Sequence, residues 1–77
     1  MNQYNENKEK TGYWEHYHEN GNIWYKGNFI NHKQNGYWEH YFSNGKLSSK
    51  GNYSNDKRIG YWDDYFYNGN LYKEFYI

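Results

Sequence analysis

Seventy-seven residues without a cysteine, carrying 9 basic and 9 acidic side chains and so no formal net charge, exclude several classes at once. There is no material for a disulfide framework or thiolate metal site, no apolar run long enough for a secretory signal or membrane span, and no basic excess with which to track a phosphate backbone. What remains reads as one small cytoplasmic domain in which the aromatic residues, 26% of the chain with 12 Tyr and 4 Trp, must supply the stability that so short a chain otherwise lacks, since each buried ring covers about 150–250 Å².

Residues 1–11 are largely polar, and Tyr4 marks a partial N-terminal strand. At Gly12 a repeat begins. Gly12-Tyr13-Trp14 recurs 24 residues on as Gly36-Tyr37-Trp38 and again as Gly60-Tyr61-Trp62. Behind each triplet Tyr17, Tyr41 and Tyr65 align, as do Asn20-Gly21, Asn44-Gly45 and Asn68-Gly69. This predicts three stacked copies of one unit, over 12–35, 36–59 and 60–77, within a single domain 1–77. Asn-Gly between two aromatic-rich runs predicts a two-residue type I′ hairpin turn. The pairing that follows sets Tyr17 opposite Trp24, His16 opposite Tyr25, Glu15 opposite Lys26 and Trp14 opposite Gly27. Opposite residues share a face, so Glu15–Lys26 and Glu39–Lys50 are expected ion pairs. Trp14 and Trp38 are expected to lie flat over Gly27 and Gly51, which offer no side chain.

The third copy departs from this pattern. The same count puts Trp62 opposite Phe75 and Asp63 opposite Glu74, a like-charge pair, and residues 71–77 are expected to cap the stack. Residues 31–35 and 55–59 read as longer connectors between hairpins. No apolar i, i+3, i+4 pattern persists, so no helix is expected. The fold class is all-β: an antiparallel hairpin meander of six strands, or seven with the partial strand, forming an elongated, twisted single sheet. One face is expected to hold Trp14, Ile23, Tyr25, Phe29, Trp38, Phe42, Leu47, Tyr53, Trp62, Phe66, Leu71 and Phe75 as core. The other is expected to hold Tyr13, Tyr17, Trp24, Tyr37, Tyr41, Tyr61, Tyr65 and Tyr72, laced with charge pairs.

The copy Gly36-Tyr37-Trp38-Glu39-His40-Tyr41-Phe42-Ser43-Asn44-Gly45-Lys46-Leu47, followed by Gly51-Asn52-Tyr53, resembles the MORN repeat, and most closely its bacterial YwqK-type, antitoxin-like variant. The first copy has Ile23 where Leu is usual, and the third lacks the second-strand glycine. The resemblance covers residues 12–77. It implies hairpin arrays that mediate protein contacts, and it implies no catalysis.

His16, His40 and Asp64 occupy equivalent positions, but equivalent positions two strands apart are roughly 9–10 Å distant, too far to share one ion. Asp63 and Asp64 are strand neighbours pointing to opposite faces, so they cannot serve jointly as acid and base. No nucleophile pattern and no phosphate-binding glycine loop is present. Hence no enzyme, catalytic residue, metal or cofactor is expected. The aromatics could stack bases, but the electrostatic half of nucleic-acid binding is missing.

An aromatic sheet face points instead to a protein partner. Partner-binding residues are expected in a stripe of Tyr17, Trp24, Tyr41, Tyr65 and Tyr72. The function read from the sequence is a non-enzymatic module that inhibits or neutralises a protein. The partner would be a cognate toxin or, for a phage-borne gene, a host defence nuclease such as a CRISPR effector. The alternative is a structural, self-assembling repeat protein, with a homodimer covering the apolar face.

Overall fold

The computed structural model describes residues 2–77. It contains one seven-stranded antiparallel sheet in which strand order follows chain order. The strands are β1 (Gln3–Tyr4), β2 (Lys10–Tyr17), β3 (Ile23–Ile30), β4 (Lys33–Tyr41), β5 (Leu47–Ser54), β6 (Lys57–Tyr65) and β7 (Leu71–Tyr76). No helix occurs among the described residues. The molecule is a plate of 42 × 35 × 12 Å, the thickness of a single sheet with its side chains. The all-β hairpin meander, with Tyr4 in the partial strand, is as the sequence predicts.

The turns exchange roles relative to expectation. At Asn20-Gly21 only the glycine has positive φ, at 90°. Gly21 N–H donates to His18 O at 3.0 Å and His18 N–H to Asn22 O at 2.8 Å. This is a three-residue loop, a type I turn closed by a left-handed glycine. The Asn20 side chain stabilises it by accepting from Asn22 N–H at 3.0 Å. The two-residue turns with both central φ positive lie instead at Asn31-His32 (49°, 71°) and Asn55-Asp56 (50°, 70°). The expected connectors 31–35 and 55–59 are therefore tight turns that run directly into β4 and β6.

An extra loop residue shifts register by one. Tyr17 pairs with Ile23, not Trp24, while His16 still pairs with Tyr25, so Trp24 is bulged out of the ladder. The second copy does the same, with Tyr41 opposite Leu47 and Ser49 opposite His40. The third copy has no compensating bulge. Its whole strand slips by one residue, so Asp63 meets Lys73 and Trp62 meets Glu74. The like-charge pair expected there does not form; Lys73 Nζ sits 2.8 Å from Asp63 instead. The slip also moves Phe75 and Leu71 from the tryptophan face to the tyrosine face, because they now oppose Tyr61 and Tyr65. Ile23 and Leu47 move with their partners Tyr17 and Tyr41.

The core is a row of indoles. Trp38 and Trp62 are fully buried at 0% exposure, with Trp14 and Phe29 close behind. Each ring leans onto the preceding repeat, which corrects the expected pairing within one hairpin. Trp38 lies over Gly27 and Trp62 over Gly51. Their Nε1 groups donate to Asn28 O at 2.9 Å and Asn52 O at 3.0 Å. Edge-on contacts with Phe29 and Tyr53 enclose Trp38, and Tyr53 also meets Trp62 at 4.9 Å. The bare backbone of each glycine is the floor on which the next repeat docks. One unit alone would leave its indole uncovered, which is why the units stack.

Candidate partner-binding surfaces

Two faces and two edges are available. On the tyrosine face each central carboxylate is held by two tyrosines of its own strand, two residues before and two after. Tyr13 and Tyr17 hydroxyls donate to Glu15 at 3.0 and 2.6 Å. Those of Tyr37 and Tyr41 donate to Glu39 at 2.8 and 2.7 Å. Alternate residues of a strand share a face, so the Tyr-x-Glu-x-Tyr spacing makes the clip automatic. In the third copy Asp63 is too short for the clip and binds Lys73 and Lys50.

Glu15, Lys26, Glu39, Lys50, Asp63 and Lys73 stand opposite one another along successive strands, an alternating ladder across the plate. Within it Lys26 reaches forward to Glu39 at 3.3 Å and Lys50 to Asp63 at 3.9 Å, rather than back to Glu15 and Glu39 as expected.

These contacts shift the titrations. Burial pushes the Glu39 carboxyl up, but the hydrogen bonds from Tyr41, Tyr37 and Lys26 outweigh it and hold the group below its ordinary value. The hydrogen bond from Tyr17, then that from Tyr13, lowers Glu15. Burial, and then donation to the Glu39 carboxylate, push both the Tyr37 and Tyr41 phenols up to about 12. All these tyrosines are neutral donors at physiological pH, with rings held by a fixed carboxylate.

The expected stripe is divided between faces. Tyr17, Tyr41 and Tyr65 share the tyrosine face with Tyr13, Tyr37 and Tyr61. Trp24 does not: the bulge turns it to the other side, where it stacks on His18 at 5.3 Å and meets His16 at 5.7 Å. Tyr72 is also on that side, opposite Asp64 and 4.7 Å from Phe66, because its strand slipped. Ile23, Leu47, Leu71 and Phe75 replace them on the tyrosine face. The clip was missed in sequence reading, although its Tyr-x-Glu-x-Tyr spacing was visible.

The tryptophan face carries a polar row across it. His16, Tyr25, His40, Ser49, Asp64 and Tyr72 stand opposite one another in turn. Tyr25 stacks on His16 at 5.1 Å and stands between it and His40. No cluster of three potential metal ligands occurs among the described residues. Burial, and secondarily the Arg58 charge, lower the His40 pKa. Arg58 itself, expected only as part of the connector 55–59, bridges the buried Asp64 at 3.2 Å, donates to the Tyr76 hydroxyl at 3.1 Å and stacks on Trp62 at 4.0 Å. This network packs the last two strands.

The edges differ. At the N-terminal edge β1 covers only Lys10 and Thr11. Asn2 continues it: its backbone N–H donates to Tyr13 O at 2.9 Å, its side-chain N–H to Glu15 O at 3.0 Å, and its Oδ1 accepts from Glu15 N–H at 2.9 Å. That amide occupies the edge as a peptide group would. At the C-terminal edge β7 bonds only to β6, and Leu71 through Phe75 are all exposed. The strand expected to cap the stack thus leaves its outer edge open.

A single open sheet of docked hairpins is a repeat array. A family model described as the MORN repeat variant matches residues 10–31 and 34–55, more than half of the chain, and the chain belongs to that family. Each match covers one hairpin, β2–β3 and β4–β5. No curated protein and no solved structure matches the chain. Fold and family together define a repeat-based protein-binding module. No helix among the described residues is long and apolar enough to cross a membrane.

Proposed function

We propose that the protein is a non-enzymatic module that inhibits or neutralises a partner protein by covering it with the tyrosine face. The observation that carries this reading is the set of clipped tyrosines. Tyr13, Tyr17 and Tyr37 are exposed yet fixed by their carboxylates, and Tyr61 is 76% exposed. Tyrosine contributes large contact area with few rotamers to freeze, and fixing it beforehand lowers the entropy cost of binding. A plate 12 Å thick has little depth in which to enclose a small substrate, whereas a broad face suits a macromolecule. The balanced charge ladder favours a polar protein surface over a phosphate backbone.

The finer reading follows the resemblance to the bacterial YwqK-type variant. The module acts in the cytoplasm as an antitoxin-like inhibitor, its partner being a cognate toxin or, for a phage-encoded chain, a host defence nuclease such as a CRISPR effector. The test is affinity capture from the source cell, followed by the Kd of the recovered protein for the native chain and for a Tyr37→Ala/Tyr61→Ala variant. A loss of about 2 kcal/mol, roughly 30-fold, is expected if the two are hot spots. Equal affinity, with the variant still folded, rejects the tyrosine face.

A further inference from the structure

The open edge at β7 has a defined hydrogen-bonding pattern. The loop before it closes with Phe66 N–H donating to Asn70 O at 2.8 Å and Gly69 N–H to Phe66 O at 2.8 Å. Counting from that bonded pair, alternate pairs of an antiparallel ladder exchange both hydrogen bonds. Tyr72, Glu74 and Tyr76 therefore bond inward to β6. Leu71, Lys73 and Phe75 turn their N–H and C=O groups outward, where the sheet supplies no partner. Along the same strand the charge ladder stops unbalanced. Lys26 and Lys50 each stand between two acidic residues, whereas Lys73 has Asp63 on one side and nothing on the other. Glu74 on the opposite face has Trp62 across from it and accepts the Tyr76 hydroxyl of its own strand at 3.1 Å, so its charge meets no cation across the ladder.

A second copy of the chain fits this edge poorly. Two-fold pairing of β7 with itself requires some residue to face its own counterpart, since opposite residues must share a face. The two registers with greatest overlap set Lys73 against Lys73, or Glu74 against Glu74. The remaining symmetric registers pair three strand residues or fewer. Head-to-tail pairing needs a free N-terminal edge, and Asn2 and β1 occupy it.

We propose that β7 is a docking edge that takes an extended strand of the partner protein, antiparallel, with an acidic residue opposite Lys73 and a basic residue opposite Glu74. The inference rests on the reading of the protein as a protein-binding module and adds where and how a partner segment attaches. In antiparallel order the incoming strand reads apolar, basic, acidic, any residue, apolar. The first apolar residue packs beside Phe75 and Tyr61, and the last beside Leu71 and Tyr65. Main-chain bonds to the edge give affinity, and the adjacent opposite charges fix register and direction.

The probe is the peptide acetyl-Thr-Val-Lys-Glu-Thr-Val-Thr-amide, titrated into the whole chain and followed through backbone amide NMR shifts. The expected result is saturable shifts centred on Leu71, Lys73 and Phe75. Binding should be roughly fivefold or more tighter than for the charge-swapped Thr-Val-Glu-Lys-Thr-Val-Thr. N-methylation of the Glu and both Val amides should abolish binding, while N-methylation of the Lys and central Thr amides should leave it within about twofold. Absence of shifts at ~1 mM peptide overturns the proposal. So does equal binding of both charge orders, equal tolerance of both methylation patterns, or concentration-dependent pairing of the chain with itself through the same amides. The Tyr37→Ala/Tyr61→Ala capture experiment separates the two readings. If that variant loses its partner while the peptide fails to bind, the edge proposal alone falls. If the peptide binds and the variant keeps full affinity for its partner, strand addition stands and the tyrosine face falls.

Discussion

Replacing Gly27 with alanine tests the interlock between repeats. A Cβ at this position would fall inside the indole of Trp38, far closer than side chains approach one another in real proteins. Two responses are available. If the ring stays, overpacking costs about 1–3 kcal/mol. If it lifts, a fully buried indole is partly exposed and its 2.9 Å bond to Asn28 O is lost, the latter worth about 1 kcal/mol. Taken together the two routes put the cost at about 2–3 kcal/mol. In a domain of this size each kcal/mol moves Tm by about 4–8 °C, so a fall of roughly 10–20 °C is expected by calorimetry or circular dichroism. A double-mutant cycle identifies the ring responsible. Gly27→Ala should couple to Trp38→Leu by ~1–3 kcal/mol and be near additive with Trp14→Leu. Coupling to Trp14 instead, or a Tm unchanged by the alanine, would refute the docking of each indole onto the preceding unit.

Three further outcomes follow from the titrations and turns. Because burial lowers the His40 pKa below its ordinary 6.5, the unfolded chain binds the proton more readily. The His40 contribution to stability should be complete above pH 6.5 and decline as pH falls below it, and His40→Phe should flatten a Tm profile on the acid side of pH 6.5. The Tyr37 and Tyr41 phenols, raised to about 12, should ionise after the ordinary tyrosines in an ultraviolet titration. Their contribution to stability is full below pH 10.0 and lost toward about 12, and Glu39→Gln should bring both transitions down. Asp56 has φ 70° and accepts from Gln34 N–H at 2.7 Å. Asp56→Ala should cost about 2 kcal/mol, while Asp56→Gly, relieved of the backbone strain, should cost about 1 kcal/mol by denaturant titration.

The repeat period carried most of the architecture. Strand count, meander order, the central pairs Trp14–Gly27 and Glu15–Lys26 and the positions of the Asn-Gly turns could all be counted from Gly12-Tyr13-Trp14 and its copies, whereas the tight turns at Asn31-His32 and Asn55-Asp56 could not. Turn chemistry could not be separated so easily. Asn-Gly serves both a two-residue turn and a three-residue loop, and that single ambiguity carried Ile23, Trp24, Leu47, Leu71, Tyr72 and Phe75 to the wrong faces. The like-charge pair Asp63–Glu74 signalled the error, since a register slip by one turns it into the Asp63–Lys73 attraction. The direction in which Trp38 leans was not legible, because Gly27 pairs with both Trp14 and Trp38 and only packing chooses between them. Of the candidate surface, Tyr17, Tyr41 and Tyr65 were placed correctly by strand alternation. Arg58 escaped notice because the tight turn at Asn55-Asp56 starts its strand earlier than the expected connector allowed.

The most direct test of the account is hydroxyl-radical footprinting of the partner complex. The account predicts that Tyr13, Tyr17, Tyr37 and Tyr61 lose reactivity on binding while Trp24 and Phe66, on the opposite face, keep theirs. Protection of Trp24 and Phe66 with the tyrosines unchanged would contradict it.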